Sequence, residues 1–369
     1  MIILGIETSC DETAVGVLEV KKTKAGFFIK PLSNVIASQI KIHRKYGGVV
    51  PMLASREHTK NIPMVADKAL KEAFSSEKSI VSKIDLIAVT KGPGLILSLL
   101  IGINFAKTLA WKWNKPIIGI NHLEGHLFSF LLSSSKIKGS FFTNSECKKC
   151  FPSICLLVSG GNTQLIYVKG IGKYKIIGET RDDAAGECFD KGARILGLSY
   201  PGGPSIAAQA AKFKIKNLKL KINFNLPRPM IDSKNYDFSF SGLKTALLYL
   251  TQDIGPKKVK KYRSFIAYEF QEAITDVLVK KTMKAAKEFK TKSIILAGGV
   301  SANKRLKEKF QEKLKKERLN IKLFVPKLEY ATDNAIMIAL AGFFQYIKHN
   351  KKSFDWKKIE ADSNLSLYK

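Results

Sequence analysis

The sequence has no long apolar run and no recognisable leader. Its longest apolar stretch, Leu95–Ala106, contains Ser98 and Asn104 and is too short to span a bilayer. The first residues become acidic by Glu7 and show neither a basic start nor a small-residue cleavage site, which predicts a buried strand in place of a signal peptide. We therefore expect a cytoplasmic protein without membrane contact.

Cysteine is scarce, and its spacing does not match a secreted disulfide framework. The five cysteines are an odd number, which favours reduced thiols. Cys147 and Cys150 form a C-x-x-C pair, but no second pair or nearby histidine completes a zinc site. We interpret the pair as part of a polar surface insertion at 133–150.

Arginine and acidic residues are few beside lysine. The chain has 8 arginines, 54 lysines and 31 acidic residues, for a formal net charge of +31. A basic surface attracts polyphosphates such as RNA, yet nucleic-acid binding proteins usually favour the forked guanidinium of arginine. Isoleucine, asparagine and phenylalanine are also abundant, so a genome-wide compositional bias competes as an explanation. Charge alone leaves both interpretations open.

Two parts of the chain show the same order of apolar runs and polar turns. The length of 369 residues is sufficient for two domains. Apolar runs Ile2–Ile6 and Thr13–Val20 flank one polar turn, and Ile154–Val158 and Thr163–Val168 flank another. Both units read as strand–turn–strand, which suggests duplication. Because helices alternate with further strands, the pattern predicts a mixed α/β fold of two similar lobes with a ligand cleft between them.

Apolar periodicity predicts the remaining elements. Further strands are expected at 27–29, 35–38, 84–89, 116–120 and 293–296, with Pro31 breaking the sheet between the first two. Helices are expected at 54–74, 96–113, 183–197, 241–252, 264–289 and 332–349, with Pro63 kinking or dividing the first. The charge run 212–221 is interpreted as solvated surface.

Glycine-rich turns follow several predicted strands. Gly160-Gly161 and Gly298-Gly299 each end a strand, and Pro201–Pro204 adds a third such turn. Glycine lets backbone amides approach an anion closely, and a helix N-terminus behind the turn attracts phosphate. The turns together predict a nucleotide site, although each alone is common, and none matches a P-loop or the dinucleotide fingerprint.

Two of the five histidines, His122 and His126, stand four apart at a predicted helix start. Their side chains are separated by about 40° and share one helix face, which suits a divalent transition metal, although a packed or solvated pair has the same spacing. The string resembles H-E-x-x-H, but Glu124 lies about 200° round the helix from His122. That position argues strongly against metallopeptidase chemistry.

Four carboxylates are further candidates for a catalytic or metal-binding role. Asp11 and Glu12 lie in the first polar turn, where they could face bound phosphates, orient a metal, act as a general base or simply cap the turn. Asp190 lies in a predicted helix beside Lys191. Asp333 lies at a predicted helix start, where an N-terminal cap is the default role.

Several motifs now combine into a specific pattern. The chain closely resembles the TsaD family, the tRNA N(6)-adenosine threonylcarbamoyltransferases, formerly called the glycoprotease or O-sialoglycoprotein endopeptidase family. The resemblance extends from Met1 to about His349. The strings that carry it are Gly5–Thr13, Asn121–His126, Leu157–Gly161, Asp183–Lys191, Tyr200–Pro204, Phe238–Thr245, Gly298–Asn303 and Ala331–Asn334.

The resemblance implies an actin-like (ASKHA, ribonuclease H-like) fold of two duplicated lobes with a nucleotide and metal cleft between them. The first lobe would comprise 1–125 and the C-terminal helix 332–349, and the second 126–331, followed by a basic tail at 350–369. The implied reaction transfers threonylcarbamoyl from threonylcarbamoyl-AMP to the exocyclic amine of adenosine 37, in tRNAs that read codons beginning with A.

The resemblance also implies roles for individual residues. One metal ion, Fe(2+) or alternatively Zn(2+), would be bound by His122, His126 and Asp333. Asp11 and Glu12 would face the reacting end, and our own hypothesis from the chemistry assigns the general base to Asp11. The adenylate site would be lined by Leu157, Val158, Ser159, Gly160, Gly161, Asp190, Gly203 and Asn303. Asn162 stands where the family usually has histidine, which puts any contact from that side chain in doubt.

The implied partners are tRNA, a TsaB-like inactive paralogue, a TsaE-like ATPase, and a TsaC-type synthase that supplies the adenylate. Two other functions remain open. A small-molecule phosphotransferase could use the same fold, although such enzymes hold magnesium through carboxylates and phosphates in place of a histidine pair. A non-catalytic nucleotide-binding partner should lack the histidines and the turn Gly298–Asn303, and this chain has both.

Overall fold

The computed structural model describes residues 1–75, 80–132, 140–143, 145, 149–213, 225–348 and 354–367, and it contains two β-sheets. The first has the strand order β5-β4-β1-β2-β3-β6. Its strands are β1 (Ile2–Glu7), β2 (Glu12–Lys22), β3 (Gly26–Ser38), β4 (Leu86–Gly92), β5 (Ile117–Asn121) and β6 (Ser140–Thr143).

The second sheet has the order β11-β10-β7-β8-β9. Its strands are β7 (Ser153–Val158), β8 (Thr163–Gly170), β9 (Lys173–Glu179), β10 (Ser293–Ala297) and β11 (Lys322–Phe324). In both sheets three consecutive antiparallel strands are joined by two parallel strands on the side of the first. The same connectivity therefore occurs twice, which confirms the expected pair of similar α/β lobes.

Helices separate and cover these sheets. The helices are α1 (Ile40–His43), α2 (Pro51–Phe74), α3 (Ile80–Lys83), α4 (Ile96–Trp113), α5 (His122–Phe128), α6 (Ala185–Ile195), α7 (Gly202–Ala210), α8 (Ser241–Glu288), α9 (Lys304–Lys316), α10 (Leu328–Ala331) and α11 (Ala335–Lys348). Short 3₁₀ turns lie at Arg44–Tyr46, Ser129–Leu132, Gly299–Ala302 and Trp356–Lys358.

Three apolar clusters hold these layers together. One lies between the first sheet and α2 with α4, and another lies between the second sheet and α6 to α9. The third is shared, because α5 and α11 pack between the facing surfaces of the two sheets. Gly5 allows this approach, since a Cβ there would lie 2.1 Å from the carbonyl oxygen of Ala335. The two lobes therefore meet through a common core.

Several expected boundaries were wrong, each for a local reason. Strand β3 continues through Pro31, because the pairing with β2 shifts register there and a β-bulge accommodates the residue. Helix α2 likewise runs undivided through Pro63. The two helices expected within 241–289 are present as two segments of α8 that meet at a kink at Gly255, where φ is +75°, so only the boundary between them differs from the expectation. Helix α7 was not expected, because its glycine- and proline-rich start was interpreted only as a turn.

The described part of the C-terminal region, 354–367, lies against the first lobe. Ile359 is buried in the outer core of that lobe, and the backbone N–H of Asp362 donates to the carbonyl of Lys91 at 2.8 Å. The side-chain amide of Asn121 donates to the carbonyl of Ser366 at 2.8 Å. This segment therefore contacts the residue that immediately precedes the histidine helix.

Some sequence features fall partly outside the described residues. Cys147 lies outside them, whereas Cys150 is buried. Most of the charge run 212–221 also lies outside them. Among the described residues, no helix combines the length and apolar character needed to cross a membrane.

Candidate metal centre and nucleotide cleft

The histidine pair lies on a buried helix that starts directly after β5. Asn121 caps this helix by accepting a hydrogen bond from the backbone N–H of Leu123 at 2.9 Å. All seven residues of α5 are buried, and the ring centroids of His122 and His126 are 4.7 Å apart. The four-residue spacing therefore brings both imidazoles to one face, as the sequence predicted.

Asp333 reaches this pair from the far end of the chain. Asn334, and not Asp333, caps α11 by accepting from the backbone N–H of Met337 at 3.0 Å. The Asp333 carboxylate is thus free to lie 3.1 Å from His126 Nε2 and 3.5 Å from His122 Nε2. One ligand atom from each of the three side chains lies within 4.8 Å of the others, so they form a possible metal-binding cluster.

Glu7, which the sequence analysis did not single out, orients this cluster. Its carboxylate oxygen Oε2 lies 2.8 Å from His122 Nδ1 and accepts a hydrogen bond from the Thr90 hydroxyl at 2.6 Å. Because Nδ1 is engaged by Glu7, the Nε2 atom of His122 faces Asp333. Such a carboxylate–histidine pairing fixes ring orientation and raises ligand basicity. The available signal was an acidic residue at the end of an otherwise apolar strand.

The cluster is strongly coupled electrostatically. Burial opposes a charge on His122, but the carboxylates of Glu7 and Asp333 outweigh it and raise the pKa of the imidazole well above its usual value. Burial likewise opposes ionisation of Asp333, but the two histidines hold the pKa of that carboxyl far below its ordinary range. Without a metal, a proton on His122 therefore balances the buried carboxylates.

These donors fit a divalent transition metal. Two imidazoles and one carboxylate are a ligand set that iron(II) and zinc share, with further positions left for water or substrate. His126 Nδ1 is buried and has no hydrogen-bond partner among the described residues. Its other nitrogen, Nε2, is the one directed toward Asp333, so both histidines present Nε2 at the cluster.

The turn that carries Asp11 and Glu12 is held by a buried histidine, His58. The His58 Nε2 donates to the carbonyl of Cys10 at 2.9 Å, and the Thr13 hydroxyl donates to Nδ1 at 2.8 Å. This pattern requires neutral imidazole, and burial lowers the pKa of His58 in agreement with it. His58 therefore supports the turn on both sides of the two carboxylates.

Asp11 and Glu12 lie close enough to influence each other. Burial and the neighbouring Asp11 raise the pKa of Glu12 well above its usual value, with a further contribution from Asp333. The hydroxyl of Ser38 donates to Glu12 at 3.1 Å. Because the charge of Asp333 contributes to the raised pKa of Glu12, Asp11 and Glu12 lie on the same side of the first lobe as the metal cluster.

The glycine-rich turns of the second lobe fall into two classes. A Cβ at Gly186 would lie 2.3 Å from the carbonyl oxygen of Ser159, and one at Gly298 would lie 2.4 Å from that of Val158. These glycines let neighbouring loops pack. At Gly160, Gly161 and Gly203, by contrast, a Cβ would meet no atom of the described residues within 4 Å, so these three line open space that a ligand could occupy.

The other predicted adenylate residues differ in how they are placed. The side chains of Leu157 and Val158 are buried in the core, so only their backbone is available to a ligand. Asn303 caps α9 through Leu306 N and donates to Gln271 Oε1 at 3.1 Å. Ser159 closes its turn by accepting from the backbone N–H of Asn162 at 3.1 Å.

Asp190 connects the two halves of the cleft. Its carboxylate accepts a hydrogen bond from the backbone N–H of Gly202 at 2.6 Å. Burial raises the pKa of Asp190 to about 6, although the hydrogen bond from Gly202 acts to lower it. The charge of Asp11 across the cleft contributes to the increase. Its sequence neighbour Lys191 instead pairs with Asp183 and Glu187. Asp190 therefore lies between the start of α7 and the carboxylate turn of the first lobe.

Glu124 lies away from the histidines, as its helical position predicted. Its carboxylate accepts hydrogen bonds from the Tyr174 hydroxyl and the Gln345 amide. These partners lie on β9 and α11, so Glu124 joins the two lobes within the shared core. The geometry excludes it as the base of a metallopeptidase.

Comparison with known proteins identifies the family. A model of the family described as TsaD, tRNA N6-adenosine threonylcarbamoyltransferase, matches residues 30–340. Proteins of that name from Thermosipho africanus and Thermosipho melanesiensis are 48% and 49% identical, and each alignment covers 100% of both chains. The chain therefore belongs to the TsaD family and is an enzyme of the transferase class, which confirms the resemblance found in the sequence.

Solved structures of distant relatives agree on the fold. The crystal structure of HypF from T. kodakarensis matches with a TM-score of 0.54 at 13% identity, covering 94% of this chain and 48% of that chain. A full-length HypF in a phosphate- and nucleotide-bound form matches with a TM-score of 0.52 at 12% identity, over 95% and 47% of the two chains. These similarities confirm the expected ASKHA-type architecture.

The raised pKa of His122 predicts that metal binding by this cluster depends on pH. Because its folded pKa is raised, protonated His122 stabilises the metal-free fold fully below about pH 6.5, and this contribution fades as pH rises through the folded pKa. Metal needs the neutral ring. At a fixed Zn(2+) concentration, the gain in melting temperature over chelator-treated protein should therefore increase from pH 6 to pH 9, as measured by calorimetry.

Glu124→Gln is the matched control, since it alters a carboxylate on the opposite face of the same helix. The stability of Glu124→Gln can change, but its increase in melting temperature with Zn(2+) should keep the same pH dependence. In His126→Ala, Zn(2+) should no longer increase the melting temperature. A gain that is independent of pH, or that survives in His126→Ala, would contradict the assignment.

Proposed function

We propose that this enzyme transfers the threonylcarbamoyl group from threonylcarbamoyl-AMP to N6 of adenosine 37, in tRNAs reading codons that begin with A, and releases AMP. The observation that carries the proposal is the placement of three features around one cleft. His122 and Asp333 of the metal cluster and the Asp11–Glu12 turn belong to the first lobe, His126 begins the second lobe, and the open glycine turns belong to the second. The full-length match to proteins named for this reaction supports the same chemistry.

The reaction requires positioning more than covalent catalysis. Threonylcarbamoyl-AMP is a mixed carbamic–phosphoric anhydride, so its carbonyl carbon is already activated toward an amine. The adenosine N6 attacks this carbon, the bond from carbon to the phosphate oxygen breaks, and AMP leaves with the bonding electron pair. A base must take one proton from the attacking nitrogen. No enzyme nucleophile is needed.

The carboxylate pair divides the proton-transfer roles. Burial and the charge of the neighbouring Asp11 raise the pKa of Glu12, which favours a proton on that carboxyl. We assign the general base to Asp11, because Glu12, whose pKa is raised by burial and by the charge of Asp11, is favoured to hold a proton already and is thus the poorer proton acceptor of the two neighbours. Glu12 then acts as the protonated neighbour that orients Asp11.

The adenylate would lie along the second lobe. Its phosphate would face the backbone of Ser159–Gly161 and the start of α7 at Gly203, where exposed amides and a helix N-terminus favour an anion. A metal ion held by His122, His126 and Asp333, which we propose to be Fe(2+) or alternatively Zn(2+), would supply Lewis acidity toward a carbamoyl or phosphate oxygen. Asp190 and Asn303 border this space.

The proposal includes an assembly. We assign a first lobe of 1–125 with 332–349, a second lobe of 126–331 and a basic C-terminal region of 350–369. The packing of α11 on β1 and β2 supports the discontinuous first lobe. A TsaB-like paralogue and a TsaE-like ATPase would act with the chain, a TsaC-type synthase would supply the adenylate, and the reaction would take place in the cytoplasm.

The direct test is modification of unmodified tRNA by the metal-loaded chain with a TsaB-like paralogue, a TsaE-like ATPase and threonylcarbamoyl-AMP. Nucleoside mass spectrometry should detect threonylcarbamoyladenosine, and a tRNA carrying guanosine at position 37 should give none. Absence of the product with competent partners would refute the proposed function. Formation of a phosphorylated sugar or acid from ATP would instead support a phosphotransferase.

A pair of glycines isolates the adenylate contact. Gly203 and Gly242 are each the second residue of a helix, and a Cβ at either would meet no atom of the described residues within 4 Å. Alanine should stabilise both helices slightly, by up to about 1 kcal/mol. Only Gly203→Ala should weaken AMP binding, measured by titration calorimetry, because its methyl group would occupy the phosphate position. Equal AMP affinities in the two variants would remove Gly203 from the site.

Removing the proposed base should slow the chemical step. Asp11→Asn keeps the shape of the side chain but cannot accept the amine proton, so kcat should fall by roughly 10²- to 10⁴-fold with metal content unchanged. Glu12→Gln keeps a donor beside Asp11 and should lose less. Rapid-quench measurement of nucleoside formation separates the two, and unchanged turnover in Asp11→Asn would remove it from the mechanism.

A further inference from the structure

A short loop of the first lobe reaches across the cleft mouth. The backbone N–H of Gln39 donates to the Asp11 carbonyl at 2.9 Å, and the chain then passes through α1 into Arg44–Gly47. Arg44 Nε donates to the Tyr200 carbonyl at 3.1 Å, and the Arg194 guanidinium donates to the Gly47 carbonyl at 2.5 Å. This loop therefore connects the carboxylate turn with the start of α7.

Arginine is concentrated at this mouth although it is rare in the chain. Three of the 8 arginines lie here, namely Arg44, Arg194 and Arg263. The guanidinium of Arg263 would lie 3.9 Å from a Cβ at Gly197, just before Tyr200, and its buried Nε has no hydrogen-bond partner among the described residues.

The three arginines form no close salt bridge with the described residues, although the charge of Arg194 acts to lower the pKa of Asp190. None of the three forms an ion pair with a carboxylate of the described residues, and neither do Arg56 and Arg318, whereas Arg181, Arg228 and Arg305 each do. Clustered guanidinium groups without carboxylates repel one another, and an anionic ligand relieves this repulsion. Guanidinium also matches phosphate geometry in a way that lysine does not.

An exposed aromatic side chain and further cations extend the same surface. Tyr46 is 54% exposed, and the Lys45 ammonium lies 5.1 Å from its ring centroid. Beyond Arg263, the helix α8 carries four exposed lysines that form no ion pair within the described part of the chain. They are Lys257, Lys258, Lys260 and Lys261.

We propose that Arg44, Lys45, Tyr46, Arg194 and Arg263 form an RNA-binding lip, which holds the single-stranded loop of the tRNA whose adenosine enters the cleft. In this arrangement the arginines contact backbone phosphates and Tyr46 stacks on one unpaired base. Single-stranded RNA loops are bound through aromatic stacking and guanidinium contacts of this kind. The inference rests on the proposed function, because it names where that substrate binds.

The charge contacts are tested by the salt dependence of tRNA affinity. Arg44→Gln and Arg194→Gln should each weaken binding and lower the slope of log K against log salt by about 0.7 to 0.9, the value for one phosphate contact. Arg56→Gln and Arg318→Gln are matched controls, because both arginines are exposed outside the lip and form no ion pair with the described residues. They should keep the wild-type slope.

The stacking contact is tested separately. Tyr46→Ala should weaken tRNA binding roughly 5- to 150-fold, which corresponds to about 1–3 kcal/mol per stacked base, and leave the salt slope unchanged. Tyr46→Trp should restore affinity. Tyr249→Ala is the control, since Tyr249 is 65% exposed on the first segment of α8. Unfolding temperature and metal content should be unchanged in all variants.

The outcomes separate this inference from the function on which it rests. If wild-type protein forms no threonylcarbamoyladenosine with its partners, the proposed function fails. If wild-type protein forms it while lip and control variants bind tRNA equally, the lip is refuted. Lip variants that keep RNA affinity but no longer copurify with the paralogue or ATPase would also refute it, because the surface would then contact a protein.

Discussion

Burial of the apolar helix α11 between two sheets is the constraint on which the rest of the structure depends. Residues Ala335–Phe344 are all buried, so this part of the helix has no face for solvent and lies between the lobes. Gly5 permits its close approach to β1, and Asn334 caps its start. Because the helix start is fixed in this way, Asp333 comes to lie beside the histidine pair, whose second member, His126, is 207 residues away in sequence.

The shared core also explains why the metal cluster is coupled to folding. Glu7, His122, His126 and Asp333 occupy the edge of an apolar region, where isolated charges are costly and removal of one partner leaves another uncompensated. A proton on His122 balances the cluster in the metal-free protein, and a bound cation would take that place. When no metal is bound, protonation of His122 therefore supplies the balancing positive charge. Because that protonation depends on pH, the stability of the fold and the geometry of the ligands depend on pH as well.

Local sequence patterns predicted the parts that depend on local geometry. The spacing of His122 and His126 and the repeated strand–turn–strand units are set by helical and strand periods, so the sequence sufficed for both. The role of Glu7 depends on the parallel pairing of β1 with β4, which brings Thr90 and then His122 beside it. The continuity of β3 at Pro31 depends on a bulge opposite β2, and neither pairing could be inferred from the local pattern.

The two sides of the cleft differ in how they are built, and the chemistry accounts for the difference. Metal ligands must keep a fixed mutual geometry, and here they lie at the starts of two helices packed in the shared core. The proposed phosphate side consists of glycine turns that border open space. An activated anhydride needs little beyond alignment with an incoming amine. In the proposed function, the buried ligands would hold the reacting geometry and the glycine turns would accommodate the leaving nucleotide, which together would provide this alignment.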